Sequence, residues 1–305
     1  MINIIVYIKL FITFLLFFLV LRLLKIIAMT KRFSFLLRFL LIFIIFFGSI
    51  KLLVMVIERT SPYIPTRIIS VTPKDFSLNW ENCYFNPNDD KSLSLNGWFI
   101  NSSTEKNKGT VLYCHGNAGN MENRISTAYF LSYAGYDVFL FDYRGYGKST
   151  GTPSEKGFYA DALSAYNYLT EIKNIPHQDI IFMGRSIGCS VASHLAVKKQ
   201  PKALVLISPF TSAPDMARLT IIFYPLSFFM SISYDNTKNI PQIKCPLVVV
   251  HSVNDEMIPY RMGRSLFEMA ITEKKLIELT QGHNDDYFER SKFVKELTDF
   301  LENLK

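Results

Sequence analysis

Short runs of Val, Ile, Leu and Phe recur along the chain after residue 57, separated by polar stretches that contain Gly and Pro. The runs show little alternation with polar residues, which is typical of parallel strands covered on both faces. We predict six strands, at residues 110–114, 136–141, 179–183, 203–207, 247–251 and 275–279.

The stretches between these runs show the spacing of apolar residues that is typical of helices. Ile187, Val191 and Leu195 recur at four-residue steps directly after one predicted strand, and an apolar helical pattern runs over residues 293–304. Strands that alternate with helices predict one doubly wound, mostly parallel α/β domain over residues 58–305. The interval 208–243 is too long for a simple crossover, and its apolar run is interrupted by Pro225, so we predict an inserted helical cap there.

The N-terminal part has a different pattern, with two apolar stretches at residues 2–21 and 39–57 that contain one charge each, Lys9 and Lys51. Each is about the ~20 residues that a spanning helix needs. Neither shows the polar face of a helix buried in a soluble core, and the first lacks the small-residue cleavage site of a signal peptide. Residues 1–57 are therefore predicted to form a membrane anchor of one or two transmembrane helices.

Charge separates the two parts of the chain. Residues 1–57 carry seven Lys or Arg and no acid, so the remaining 33 − 7 = 26 basic residues balance the 26 acidic ones. A neutral globular part lacks the basic face of a nucleic-acid-binding domain, and we expect no nucleic-acid partner. Five cations, from Arg22 to Arg38, lie between the two stretches. The positive-inside rule keeps them cytoplasmic, which places the C-terminal domain on the non-cytoplasmic side, whether the anchor is single- or double-pass.

A Gly-x-Ser-x-Gly motif, residues 184–188, follows one predicted strand and opens a predicted helix. In that context the motif forms a sharp turn that lifts the serine above the sheet as a nucleophile. The alternative, an ordinary turn serine, does not need both glycines. We identify Ser186 as the candidate nucleophile.

A catalytic serine needs a base. Among the five histidines, His283 lies just past the last predicted strand, at the carboxyl edge where sites of open α/β sheets form. A third group should fall between Ser186 and His283 in chain order. Asp255 meets this requirement, and Glu256 is the alternative, whereas Asp285 is too close to His283 in sequence to orient it easily.

The oxyanion of an acyl-transfer intermediate needs two converging backbone N–H groups. We predict that one is the amide of Ile187, directly after the nucleophile. The loop after the strand 110–114 supplies the other, with Asn117 as first choice and Ala118 as second. The alternative is that this loop is only a glycine-rich connector.

One stretch resembles a nucleotide-binding motif. Gly147-Lys148-Ser149 has the end of a phosphate-binding loop, but Asp142 stands where that loop needs glycine. We expect no nucleotide partner. The four cysteines lack metal-ligand spacing, and a serine-histidine-aspartate mechanism needs neither a metal nor a cofactor.

Several motifs together resemble one family. The residues that carry the resemblance are 115–120 (HGNAGN), 142–149 (DYRGYGKS), 184–186 (GRS) and 282–285 (GHND). They are similar to the membrane-anchored α/β-hydrolase family that includes abhydrolase domain-containing protein 13, with protein depalmitoylases as close relatives. The resemblance implies an α/β-hydrolase fold and a triad of Ser186, Asp255 and His283. Cys189 departs from the pattern, since relatives commonly have glycine there.

Three functions remain open at this point. A membrane-bound serine hydrolase of acyl esters or thioesters, on lipids or acyl-proteins, is the leading hypothesis. A peptidase related to prolyl oligopeptidase would use the same triad but usually carries a propeller or an acidic pocket. A non-enzymatic scaffold would predict a broken triad.

The predicted cap contains a charge-free run at residues 219–232. It has three interpretations: ordinary core, a pocket for an acyl chain, or a segment that dips into the adjacent bilayer. On the second interpretation, Phe228 and Phe229 bind the substrate.

Overall fold

The computed structural model describes residues 18–20, 22–23, 25–26, 35–60, 63–221, 223–284 and 291–304. The chain divides into two compact units. The smaller contains Met1–Pro62 and Ala217–Ile232, and the larger contains Tyr63–Met216 and Ser233–Lys305.

Ten strands are described, and all belong to the larger unit. They are β1 (Ile64–Pro65), β2 (Trp80–Phe85), β3 (Leu95–Ile100), β4 (Thr110–Cys114), β5 (Ala118–Gly119), β6 (Asp137–Phe141), β7 (Ile180–Arg185), β8 (Ala203–Ile207), β9 (Leu247–Ser252) and β10 (Lys274–Leu279). The six strands predicted from the apolar runs are confirmed, with ends that shift by no more than two residues.

The described α-helices are α1 (Phe35–Thr60), α2 (Ile125–Tyr133), α3 (Glu155–Asn167), α4 (Ile187–Lys199), α5 (Ala213–Ala217), α6 (Asn236–Asn239), α7 (Tyr260–Met269) and α8 (Ser291–Glu302). The two helices predicted from apolar spacing, α4 and α8, are confirmed. Short 3-10 turns also occur, among them Pro225–Phe229.

The main sheet has eight strands in the order β10-β9-β8-β7-β4-β6-β3-β2. Strands β10 to β6 pair in parallel, while β3 is antiparallel to both β6 and β2. This is the mostly parallel α/β sheet that the sequence predicts. The carboxyl ends of β4, β7 and β9 lie along one edge, because parallel strands all end on the same side.

Alternate residues of each central strand point to opposite faces of the sheet, and both faces are covered. In β7, Ile180 and Phe182 join the apolar cluster on one face, whereas Ile181 and Met183 join the cluster on the other. Helix α4 packs in the first cluster and α8 in the second. Burial on both faces explains why these strands appear in the sequence as continuous apolar runs.

The smaller unit contains α1 and the segment 217–232. Residues Phe35–Glu58 of α1 contain an 18-residue stretch with a mean hydropathy of 2.8, and only 6% of that stretch is buried. By length and composition alone, this helix can cross a membrane. The predicted first span, residues 2–21, lies mostly outside the described residues.

Candidate active site

Ser186 occupies a sharp turn between a strand and a helix. Strand β7 ends at Arg185, α4 begins at Ile187, and Ser186 between them has φ 54° and ψ −121°. A non-glycine residue in this region is strained, and such strain concentrates at functional sites. The residue is half-buried. This backbone is that of a nucleophile elbow.

The two glycines of the motif make the turn possible by allowing close packing. A methyl group placed at Gly184 would lie 2.3 Å from the carbonyl oxygen of Gly188. One placed at Gly188 would lie 2.0 Å from the carbonyl oxygen of Cys114, at the end of β4. No real Cβ fits at these distances. The motif therefore needs glycine before and after the serine to bring α4 against β4.

Replacement of Gly188 by Ala should destabilise the larger unit. The added methyl group meets backbone atoms, which cannot move aside as a flexible side chain would, so we expect a loss of roughly 1–3 kcal/mol or more. Gly48→Ala is the control, because a methyl group at Gly48 has no atom within 4 Å. Thermal melting of the full chain in detergent measures both variants. Equal melting temperatures for Gly188→Ala and the parent protein would contradict this packing argument.

Asp255 and His283 are in direct contact. The Nδ1 atom of His283 lies 2.7 Å from Oδ2 of Asp255. The Asp255 Oδ1 atom accepts hydrogen bonds from the amides of Ile258 at 2.7 Å and Met257 at 3.0 Å. An ionised carboxylate only accepts, so the proton of the imidazole is on Nδ1 and Nε2 is left as an acceptor. This tautomer is the one that a general base for a serine requires.

The environment of Asp255 keeps it ionised. Burial by itself would raise the pKa of this carboxyl group. The hydrogen bonds from His251 and His283, together with the amide of Ile258, outweigh burial and hold the pKa of Asp255 well below its ordinary value. The carboxylate is therefore negatively charged at neutral pH and can stabilise a protonated imidazole beside it.

The two alternatives to Asp255 differ from it in position. The Oε2 atom of Glu256 accepts a hydrogen bond from the backbone amide of His283 at 2.9 Å, so Glu256 holds the loop. Asp285 lies outside the described residues. The geometry thus favours Asp255 as the partner of the imidazole, and its catalytic role stays a prediction.

Arg185 connects the serine turn to the histidine loop. Its Nη2 atom donates a hydrogen bond of 2.7 Å to the carbonyl oxygen of His283, and its side chain is buried. The sequence analysis did not identify this residue, although it directly precedes Ser186. Among the described residues the Ser186 hydroxyl makes no hydrogen bond, and catalytic contacts are often long before substrate binds.

His251 is a second histidine beside Asp255 that the sequence analysis left without a role. Its Nε2 atom lies 3.5 Å from Oδ2 of Asp255 and 2.9 Å from the carbonyl oxygen of Ile258. A carbonyl oxygen only accepts, so Nε2 carries the proton and the ring is fully buried against the carboxylate. The position of His251, four residues before Asp255 at a strand end, is the sequence signal that points to it.

The loop after β4 passes the candidate nucleophile. A methyl group at Gly116 would lie 3.7 Å from the Cβ atom of Ser186. The Tyr146 hydroxyl donates a hydrogen bond of 2.7 Å to the carbonyl oxygen of Asn117 and so fixes the peptide that follows. In the described part of the chain, neither the Asn117 amide nor the Ile187 amide donates a hydrogen bond to another group. Both remain available for an oxyanion.

The remaining predicted site residues are Phe228, Phe229 and Ala118. Phe228 and Phe229 belong to the smaller unit, where Phe228 is 67% exposed and the ring of Phe229 lies 5.8 Å from that of Phe47. The second candidate for the oxyanion site, Ala118, is exposed and pairs in β5 with Ile64. The described residues contain no group of His, Cys, Asp and Glu side chains that fits a metal ion.

Comparison with known proteins agrees with this architecture. A sequence profile of the alpha/beta hydrolase fold matches residues 109–239. The uncharacterized protein Rv2307c of Mycobacterium tuberculosis is 34% identical over 194 residues, which make up 63% of this chain and 69% of that protein. The lysophosphatidylserine lipase ABHD12 of Mus musculus is 30% identical over 253 residues, covering 70% of this chain and 63% of that protein.

Solved structures share the fold. The esterase Pf2001 of Pyrococcus furiosus superposes with a TM-score of 0.66 at 22% identity, over 80% of this chain and 98% of that one. Such low identity bears on the fold alone, whereas the sequence relatives share ancestry with this chain. The chain belongs to the α/β-hydrolase family, and it is a hydrolase.

Proposed function

We propose that this protein is a membrane-anchored serine hydrolase that cleaves acyl esters or thioesters. The observation that supports the proposal most is the 2.7 Å contact between His283 and Asp255. The strained turn at Ser186 precedes both residues in the sequence. The order of Ser186, Asp255 and His283 is that of α/β-hydrolases.

In the proposed mechanism, His283 accepts the Ser186 proton at Nε2 while the serine oxygen attacks the acyl carbon. Asp255 holds the imidazole through Nδ1–H and stabilises its positive charge. The amides of Ile187 and Asn117 stabilise the oxyanion. His283 then protonates the alcohol or thiol that leaves, and a water molecule activated by the same imidazole releases the acid and restores the serine.

The substrate class rests on the relatives and on the motifs. The lipase activity in the name of the mouse relative favours lipid acyl esters. The resemblance of residues 282–285 and the other motifs to protein depalmitoylases adds thioesters of acyl-proteins. The segment 219–232 is free of charge, and we propose that Phe228 and Phe229 contact the acyl chain.

An acyl-chain series tests that contact. Each buried methylene contributes about 0.8 kcal/mol, so kcat/KM should rise about fourfold per methylene until the site is full. Replacement of both Phe228 and Phe229 by Ala should flatten this rise while an acetyl ester is hydrolysed almost as before. Tyr84→Ala, which removes a similarly exposed aromatic ring from the larger unit, should leave the series unchanged. Equal losses on short and long esters would mean that the two rings do not select the acyl chain.

We further propose that the anchor holds the catalytic domain on the non-cytoplasmic side. The cluster of cations between Arg22 and Arg38 supports this orientation through the positive-inside rule. In sealed, right-side-out vesicles, an external protease should digest residues after Tyr63. Digestion only after the vesicles are opened would show that the domain faces the cytoplasm.

A further inference from the structure

One face of α1 carries two charged residues, Lys51 and Glu58. Phe47, Lys51, Val54 and Glu58 are spaced by four, three and four residues and therefore share that face. Val54 and Glu58 are buried at 3% and 7% exposure, although most of α1 is exposed. Protein therefore covers Val54 and Glu58, whereas the other described residues of the helix are half-buried or exposed.

The covering group is the segment 217–232 of the same unit. The Lys51 ammonium donates hydrogen bonds to the carbonyl oxygen of Phe229 at 2.7 Å and to the hydroxyl of Ser231. The Glu58 carboxylate accepts hydrogen bonds from the backbone amides of Ser231 and, at 3.0 Å, Ile232. Two charges that are costly beside hydrocarbon thus have polar partners. We call this pair of contacts the Lys51–Glu58 clamp.

The clamp also fixes where the segment lies along α1. Lys51 and Glu58 are seven positions apart, which corresponds to about 10 Å along the helix axis. Their side chains converge on Ser231, whose hydroxyl binds Lys51 and whose amide binds Glu58. Residues 229–232 therefore lie beside the last turns of α1.

Much of the exposed surface of the segment is apolar. Five large apolar side chains of its described residues are exposed, and we call them the apolar rim: Leu219, Ile221, Phe223, Tyr224 and Phe228. Ile221 is 92% exposed, and there is no charge from residue 219 to residue 234. An exposed apolar patch of this kind marks an interaction surface. Exposure also excludes the interpretation of these five side chains as ordinary core.

We propose that the apolar rim lies within the bilayer, at the boundary between headgroups and acyl chains, and that the Lys51–Glu58 clamp holds it there. The inference rests on the proposed membrane anchor, because α1 must span the membrane if the segment 217–232 beside it is to enter the bilayer. Interfacial segments bury their apolar face by about 5–10 Å, and the clamp holds residues 229–232 beside the last turns of α1. An apolar contact adds to the clamp, because the rings of Phe47 and Phe229 lie 5.8 Å apart within one unit.

Site-directed fluorescence on the full chain in lipid nanodiscs tests the proposal. The environment-sensitive probe NBD is attached at Ile221→Cys or Tyr224→Cys, and the four native cysteines are buried. Nitroxide-labelled lipids should quench both probes strongly, and aqueous iodide should quench them weakly. Ile172→Cys, equally apolar and 63% exposed in the larger unit, is the matched control and should show the reverse.

The clamp is tested by the double variant Lys51→Met and Glu58→Gln. Loss of the charged partners should release the segment, so that lipid quenching of the Ile221 probe falls at least twofold and iodide quenching rises. A probe at Phe43→Cys, on the apolar part of α1, should stay quenched by lipid in parent and variant. Unchanged quenching at residue 221 in the double variant would overturn the role of the clamp.

The Phe43 probe also separates the two proposals. Lipid quenching at residue 43 together with iodide quenching at residues 221 and 224 would overturn the inference and leave the anchor in place. Iodide quenching at residue 43 would overturn the anchor as well. Protection of the rim probes from both quenchers would place another protein surface, such as a second copy of this chain, on the rim and would also overturn the proposal.

Discussion

Replacement of Ser186 by Ala should lower the rate of ester hydrolysis by about 10⁴-fold or more, because the members of a triad act as a unit. The alanine methyl group fits the same backbone, so folding should be unaffected. Ser190→Ala on the same helix is the control. It removes the hydrogen bond of 2.9 Å to the carbonyl oxygen of Tyr234 but no proposed catalytic atom.

The rates of both variants on a short ester test whether Ser186 is needed for turnover. Their melting temperatures are measured in parallel. We expect Ser190→Ala to lose some stability and keep most of its turnover. Turnover by Ser186→Ala near that of the parent protein would remove the serine from the mechanism.

Replacement of Asp255 by Asn should lower the rate by about 10⁴-fold. The new amide group can donate to Nδ1 of His283, which would move the ring proton to Nε2 and leave no base facing Ser186. The amides of Ile258 and Met257 can still bind the remaining carbonyl oxygen, so the loop should keep its shape.

Glu256→Gln is the matched control for this variant, since Glu256 accepts a hydrogen bond from the backbone amide of His283 and not from its ring. We expect a small loss, measured as kcat/KM on the same ester. A larger loss in Glu256→Gln than in Asp255→Asn would transfer the role to the glutamate.

The parallel core of the sheet could be predicted because its strands are buried on both faces. The run at β8, Ala203–Ile207, is wholly apolar in sequence and wholly buried in the structure. The antiparallel strands β2 and β3 were missed, because their sequences mix polar residues with the apolar ones. Gly97 in β3 is disfavoured in strands, but a side chain there would lie 2.9 Å from the carbonyl oxygen of Leu140.

Some residues of the candidate site could be predicted from the local sequence, whereas others depend on long-range contacts. The elbow at Ser186 is a local motif, and the order of Asp255 and His283 follows from the fold. The contact between Arg185 and the loop of His283 depends on which loops meet in space, so spacing along the chain does not reveal it. His251, in contrast, is close to Asp255 in sequence as well as in space.

Composition alone does not determine the environment of the segment 217–232. Its apolar run fits core, acyl pocket and membrane surface equally well, because each environment favours the same side chains. The exposure of Ile221 excludes ordinary core for that side chain, and this exposure is a property of the tertiary structure. The acyl-chain series and the quenching experiment test the other two environments.

The most direct test of the central claim is covalent labelling of the full-length protein with a fluorophosphonate, followed by peptide mass analysis of the modified residue. A fluorophosphonate reacts with a serine that an adjacent base has activated, and an oxyanion site binds the oxygen of the phosphonyl group. We predict a single adduct on Ser186 that is lost when Asp255 is replaced by Asn. An active, unlabelled protein, or an adduct on a different serine, would contradict it.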